Sequence, residues 1–157
     1  NGYTLARKLL LDRTGWSVKK YIPDLKTTIG NELLKPHRSY TGIVFKIAGK
    51  FKIKGLAHIT GGGFYDNIPR ILPKGAGVII WKGSWKVLPV FDVLRKLGNL
   101  DDADMYRTFN MGIGMCVIVD KKDLEKTLKL IRANGEKAFY IGEVVKHAGK
   151  GPKVAIY

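Results

Sequence analysis

Apolar positions recur at helical spacing near the start of the chain. Leu5, Ala6, Leu9 and Leu10 predict an amphipathic helix from Tyr3 to about Asp12, ended by Gly15. The stretch from Trp16 to Lys26, with Pro23 inside it, reads as irregular. Thr28 is placed to cap a short helix through Leu34, stopped before Pro36. Ser39 is placed to cap another, with Ile43, Val44 and Ile47 on one face. Gly55 to Ile59 predicts a short buried strand. Helical spacing resumes after Gly61, Gly62 and Gly63, but Pro69 has no N–H to donate and must lie near a helix start or kink it. Gly77 to Trp81 is strand-like, and Val90, Val93, Leu94 and Leu97 form a helical stripe ending at Gly98. Asp101 and Asp102 stand where a short helix through Tyr106 begins, which suits its dipole. Gly112 to Val119 is apolar throughout and is the strongest strand signal. Asp120 follows as the cap of a helix that turns Leu124, Leu128 and Ile131 inward and ends at Gly135. Ala138 to Val145 and Val154 to Tyr157 complete the strands, with a turn at Gly149 to Pro152. Strands and helices mix without strict alternation, repeat or linker, which predicts one α+β domain.

Composition narrows the class. With 157 residues, 45% apolar and 10% aromatic, the chain can bury a core. No apolar run approaches the roughly 18 residues of a membrane helix. The single Cys116 lies in the apolar run Met115 to Val119, where a thiol acts as a small core group. One cysteine forms no internal disulfide and no Cys/His cluster has zinc spacing, so a cytoplasmic setting is expected. The opening at Asn1, without Met or a signal-peptide pattern, suggests a piece of a longer protein.

The net charge of +15 is unevenly spread. Between Leu33 and Phe91 stand ten cations and one acid, Asp66. Such a field draws anions, although salt screens it beyond about 8–10 Å. A phosphorylated metabolite, nucleic acid and an acidic domain are all candidate partners. Lysines outnumber arginines 21 to 7, whereas readers of base edges lean on bidentate Arg, so a solvated lysine-rich surface competes with a nucleic-acid site.

The chemistry concentrates around Gly55 to Arg70. Three successive glycines leave backbone N–H groups able to face a ligand and open positive φ, and a helix starting there would favour phosphate. A flexible turn is the simpler alternative. Thr60, Asp66 and Asn67 crowd polar groups beside it. His58 interrupts the apolar strand just before the glycines. A satisfied core histidine and a proton-moving imidazole both fit that position. His37 and His147 read as surface residues. Arg107 and Asn110 precede the strongest strand, in a segment with two glycines that permit close approach; an Arg closing a loop against an Asp is the alternative. Asp101, Asp102 and Asp104 form the one acidic cluster, explained more simply by a helix start than by magnesium. Walker A, Gly-x-Gly-x-x-Gly, HExxH and EF-hand patterns are absent.

Several blocks together resemble the C-terminal half of the aminoimidazole ribonucleotide synthetase (phosphoribosylformylglycinamidine cyclo-ligase) family. They are Asn1-Gly2-Tyr3-Thr4-Leu5 with Arg7, Leu33-Leu34 with Pro36-His37-Arg38-Ser39-Tyr40, and Ala57-His58-Ile59-Thr60-Gly61-Gly62-Gly63-Phe64. Asn67-Ile68-Pro69-Arg70, Met105 to Met115 and Asn134-Gly135-Glu136 follow in family order. Selenophosphate synthetase and thiamine-monophosphate kinase relatives lack the combination. The resemblance implies a mixed, half-barrel-like β-sheet covered by helices. It also implies an ATP-dependent ring closure converting formylglycinamidine ribonucleotide to aminoimidazole ribonucleotide. ATP and Mg²⁺ would be held mainly by an N-terminal domain outside this chain, through which the full-length protein forms a homodimer. By position it makes Asn1, Gly2, Thr60, Gly61, Gly62, Gly63 and Asn67 candidates for phosphate binding. His58, Arg107 and Asn110 become candidates for orienting substrate or stabilising charge. No metal ligand is expected here. A basic nucleic-acid-binding module is the alternative from another class.

Overall fold

The computed structural model describes residues 2–157. The first helix, α1, spans Tyr3–Arg7 and continues as a π turn over Lys8–Asp12, where the Arg13 N–H reaches the Lys8 carbonyl at 2.8 Å. The wider turn keeps Ala6, Leu9 and Leu10 on the buried side. The segment expected to be irregular contains a small hairpin. β1 (Tyr21–Ile22) pairs antiparallel with β2 (Thr27–Thr28) around a tight turn in which Lys26 takes φ 53°. Two-residue strands are too short to show alternation. Thr28 caps α2 (Ile29–Leu33) as expected, its hydroxyl accepting from the Asn31 N–H at 3.3 Å.

Helix α3 runs Thr41–Ala48 with Ile47 inward. Its cap position is Tyr40, without a side-chain bond, so Ser39 is not the cap; the Val44 N–H already bonds the Tyr40 carbonyl at 3.0 Å. Strand β3 (Gly55–His58) leads into the glycine turn and α4 (Gly63–Asn67). The helix ends before Pro69, which opens a separate 3₁₀ turn over Pro69–Ile71 where its missing N–H costs no helical bond. Strand β4 (Ala76–Ile80), α5 (Pro89–Gly98, closed by Asn99 at φ 48°) and α6 (Asp102–Thr108) follow. Asp101 caps α6 by accepting from the Asp104 N–H at 2.8 Å.

The strongest strand signal shortens to β5 (Met115–Ile118), half-buried throughout, because Asn110 to Ile113 forms a turn with Met111 at φ 50° and Gly112 at φ 94°. Asp120 opens a 3₁₀ turn over Lys121–Asp123 and reaches Lys54 at 3.3 Å; α7 then begins later, at Leu124–Ala133, with Asp123 before it. Strand β6 is Gly142–Lys146, displaced from the expected Ala138–Val145, and β7 is Val154–Ile156.

Hydrogen bonding groups the described strands into three small sheets: β1–β2, antiparallel β3–β5, and β6–β4–β7. In the last, β4 pairs antiparallel with β6 and parallel with β7, so the sheet is mixed as expected. The half-barrel curvature is not carried by this pairing. The core gathers Leu10, Ile29, Phe64 and Met105, all fully enclosed, with the Phe64 ring stacked 5.9 Å from Trp85 and edge-on to Tyr106 at 5.4 Å. That aromatic cluster clamps α4 against α6 and so sets the glycine turn beside the end of α6. No described helix is long and apolar enough to cross a membrane.

Candidate functional site

The glycine turn is built by Asn67. This residue is buried, and its Nδ2 donates toward the carbonyls of Gly63 (2.8 Å), Gly61 (3.1 Å) and Thr60 (3.3 Å). Its Oδ1 accepts from the Thr60 hydroxyl at 3.2 Å and from Arg70 at 3.4 Å. Both ends of the amide are spent on the loop, so Asn67 and Thr60 organise the turn. Gly63 N–H closes it onto the Thr60 carbonyl at 3.0 Å. The N–H groups of Gly61 and Gly62 have no partner among the described residues, and Gly61 is exposed. These are the donors an anion could use.

Two of the glycines are required by geometry. Gly62 lies at φ 88°, and a Cβ there would sit 2.5 Å from that of Asp66. Gly63 lies at φ 55°, and a Cβ there would drive into the backbone of α6, 2.8 Å from the Tyr106 carbonyl carbon. Gly2 approaches the same end of α6: at φ 78°, its Cβ would meet the Phe109 ring at 2.5 Å and the Thr108 carbonyl at 3.2 Å. The Gly2 and Gly63 backbones therefore converge where α6 ends and the Arg107–Asn110 segment begins. Asn1 lies outside the described residues. Helix α4 is only five residues long, so the donors come from the turn more than from a helix dipole.

Arg107 is exposed on α6 with its guanidinium 5.4 Å from the centre of the Tyr65 ring. It forms no ion pair among the described residues, so the loop-closing alternative does not hold. Asn110 is a turn residue: its Oδ1 accepts from the Gly112 N–H at 2.9 Å, and Trp85 Nε1 fixes the Met111 carbonyl at 2.9 Å.

His58 ends β3 and is exposed, which removes the core-histidine alternative. Its Nε2 meets the Nε2 of His37 at 2.9 Å, with ring centres 5.0 Å apart. Tyr40 stands edge-on to both rings, at 5.7 Å from His37 and 6.0 Å from His58. Burial and the neighbouring His58 hold His37 below the ordinary histidine range, while burial raises the Tyr40 phenol. Tyr40 is seated on Gly114, where a Cβ would come 2.8 Å from the phenol carbon. A cleft of about 490 Å³ opens here between α3 and the β3–β5 sheet, lined by Arg38, Tyr40, Phe45, Leu56, His58 and Met115. Taken singly in one dimension, His37 and Tyr40 carry no mark of a site, and only the fold sets them beside His58. The signal was their place in one block, Pro36 to Tyr40. His37 is exposed as expected, whereas His147 is half-buried against Gly77, its Nε2 enclosed without a partner among the described residues.

The basic field is partly neutralised. Arg38 pairs with Glu136 at 2.5 Å, Lys54 with Asp120, and Lys46 with the Asn134 amide oxygen at 2.5 Å. Asp102 is held by Lys82 at 2.8 Å and by Arg95, which together keep its carboxyl below the usual carboxylate range. With Asp102 committed and Asp101 capping α6, the acidic cluster does not fit a divalent ion, and no three His, Cys, Asp or Glu of the described residues gather as metal ligands. A larger cavity of about 820 Å³ lies between α3, α7 and β5, walled mainly by aliphatic side chains such as Ile47, Ile118 and Leu128. Burial pushes the Cys116 thiol up to about 12, so it stays protonated.

Comparison with known proteins shows the family. The family described as AIR synthase related protein, C-terminal domain, matches residues 1–154. A phosphoribosylformylglycinamidine cyclo-ligase of Caldanaerobacter subterraneus subsp. tengcongensis is 52% identical over 149 residues, covering 95% of this chain and 44% of that protein. Its namesake in Acetivibrio thermocellus is 51% identical over 145 residues, covering 92% and 42%. The chain thus spans less than half the length of these relatives. Among solved structures, E. coli HypE, a hydrogenase maturation protein, shares the fold with a TM-score of 0.59 at 22% identity, covering 74% of this chain and 35% of that one.

Proposed function

The chain belongs to the family of AIR synthase-related C-terminal domains, and on that premise we propose that it is the substrate-contacting part of an ATP-dependent cyclo-ligase of purine biosynthesis. The substrate is formylglycinamidine ribonucleotide and the product aminoimidazole ribonucleotide. ATP phosphorylates the formyl amide oxygen, and the amidine nitrogen closes the ring as that oxygen leaves in phosphate. The observation that carries the reading is the likeness to cyclo-ligases at about half identity across 95% of the chain.

Within this chain, the N–H groups of Gly61 and Gly62, without a partner among the described residues, receive the substrate phosphate, and Arg107 adds charge to the site. His58, at the mouth of the cleft, faces the reacting end. ATP and Mg²⁺ belong to the part of the relatives beyond this chain; the acidic cluster here has Asp102 on Lys82 and Arg95 and Asp101 on the α6 cap. Homodimer contacts are placed there too. The paired state of Arg38, Lys46, Lys54 and Lys82 favours a small anion over a nucleic acid backbone as the basic face's partner.

Calorimetric titration with formylglycinamidine ribonucleotide at low and moderate salt, with duplex DNA as control, tests the substrate side. Weakly salt-dependent nucleotide binding is expected. DNA binding that collapses with salt, without nucleotide binding, overturns the reading. Substrate-dependent ADP release by the protein at its relatives' full length tests the reaction.

A further inference from the structure

An exposed histidine pair at hydrogen-bond distance needs a reason, since neither ring is there to fill a core. The Nε2···Nε2 contact of 2.9 Å, with the rings tilted by 49°, requires one imidazole to donate and the other to accept. Resting on the cyclo-ligase reading, we propose that His37 is a positioning residue that accepts the His58 Nε2–H, leaving Nδ1 of His58 free to take the proton shed during ring closure.

Three observations set the direction. His58 lines the 490 Å³ cleft and His37 does not, so His58 meets the ligand and His37 stands behind it. Tyr40, at the start of α3, braces both rings edge-on and is itself seated on Gly114 of the segment entering β5, which fixes where the pair sits. Third, burial and its neighbour disfavour His37 as a cation, which suits it to the acceptor role. The charged groups of the same segment are engaged elsewhere: Arg38 with Glu136, and Lys35 with Glu32 at 2.5 Å. From β5 the residue opposite His58 is Met115, which brings no charge.

The proton balance closes. As the nitrogen lone pair forms the new C–N bond, the phosphorylated oxygen departs as phosphate and one N–H bond breaks. Its proton goes to His58 Nδ1, giving an imidazolium whose Nε2–H stays on His37. Water then takes the proton. An acceptor behind a base fixes the base's tautomer and orientation.

Long-range ¹⁵N–¹H correlation of the imidazoles tests the pair without any activity. Protonation of His58 at Nε2 and of His37 at Nδ1 is expected near neutral pH; Nε2–H on His37 overturns the proposal. In the full-length enzyme, His37→Ala should lower kcat about 10- to 100-fold with little change in KM, within what acid–base assistance supplies. It should also move the acid limb of the pH–rate profile to lower pH, because the acceptor favours protonated His58. His37→Gln, which keeps an acceptor oxygen, should recover part of the loss. An unmoved acid limb, or equal losses in both variants, removes the positioning role. Absent cyclo-ligase activity with the expected tautomers would instead count against the reaction alone.

Discussion

Asn67 Nδ2 donates to the Gly63 carbonyl at 2.8 Å from a buried position, so one side chain ties the start of α4 to its end. The same amide holds the carbonyls of Gly61 and Thr60, while the N–H groups of Gly61 and Gly62 have no partner among the described residues. Asn67→Ala removes the amide's hydrogen bonds to the turn from a buried position and should cost about 1–3 kcal/mol. Urea midpoints of the two proteins measure it, and coincident curves would mean that the turn holds its shape without the amide.

Gly63 and Gly15 separate strain from close approach. Both have positive φ, 55° and 67°, but nothing lies within 4 Å of a Cβ at Gly15. Gly15→Ala should therefore cost only the left-handed strain of about 1–2 kcal/mol. Gly63→Ala adds a collision with the α6 backbone, and its cost should exceed that of Gly15→Ala clearly. Equal losses in thermal stability would show that α6 can retreat from the turn.

Arg107 makes no ion pair among the described residues, so Arg107→Ala should leave stability within about 0.5 kcal/mol. Removal of a charge-assisted contact of about 1.5–3 kcal/mol predicts substrate affinity weakened roughly 10- to 100-fold. Titration of wild type and variant with the nucleotide measures the change. Unaltered affinity would exclude Arg107 from the site.

The Asp102 cluster predicts a pH window. Hydrogen bonds from Lys82 and Arg95 lower the folded-state value of Asp102 below its unfolded one. Its stabilisation is therefore present above the unfolded carboxylate range and is lost as pH falls through the folded value. Lys82 is raised by Asp102, so its share is present below the unfolded lysine value and lost as pH rises through the folded one. The stability gap between wild type and Asp102→Asn should be widest between about pH 5 and 10, shrinking as pH falls below the carboxylate range or rises through the folded lysine value. A gap of constant size across that scan would contradict the coupling.

Local signals carried most of the element order. Thr28 caps the helix expected of it, and Asp101 stands at the helix start expected there and caps it, because a cap is a contact within three residues and is written in adjacent positions. Ser39 and Asp120 failed as helix caps because the residue that ends up at the cap depends on where the entering chain is pinned, here by Tyr40 on Gly114 and by Lys54 on Asp120. The strand expected over Gly112 to Val119 lost its first residues to the Asn110 turn. Apolarity marks burial, but it does not mark the positive φ of Met111.

The site divides the same way. The glycine turn, His58 and Arg107 were legible because glycines and charged side chains in apolar surroundings stand out in one dimension. That Asn67 serves the loop was decided by the five-residue α4, which returns its amide to the turn. His37 acquires a role only where β3 and the segment before α3 meet, 21 positions apart in the chain. By itself the amino-acid order determined which residue types and short-range elements exist. Which side chains share a proton, a loop or a charge was decided by the tertiary structure, because hydrogen bonds and ion pairs act over about 3 Å and only packing brings distant residues that close.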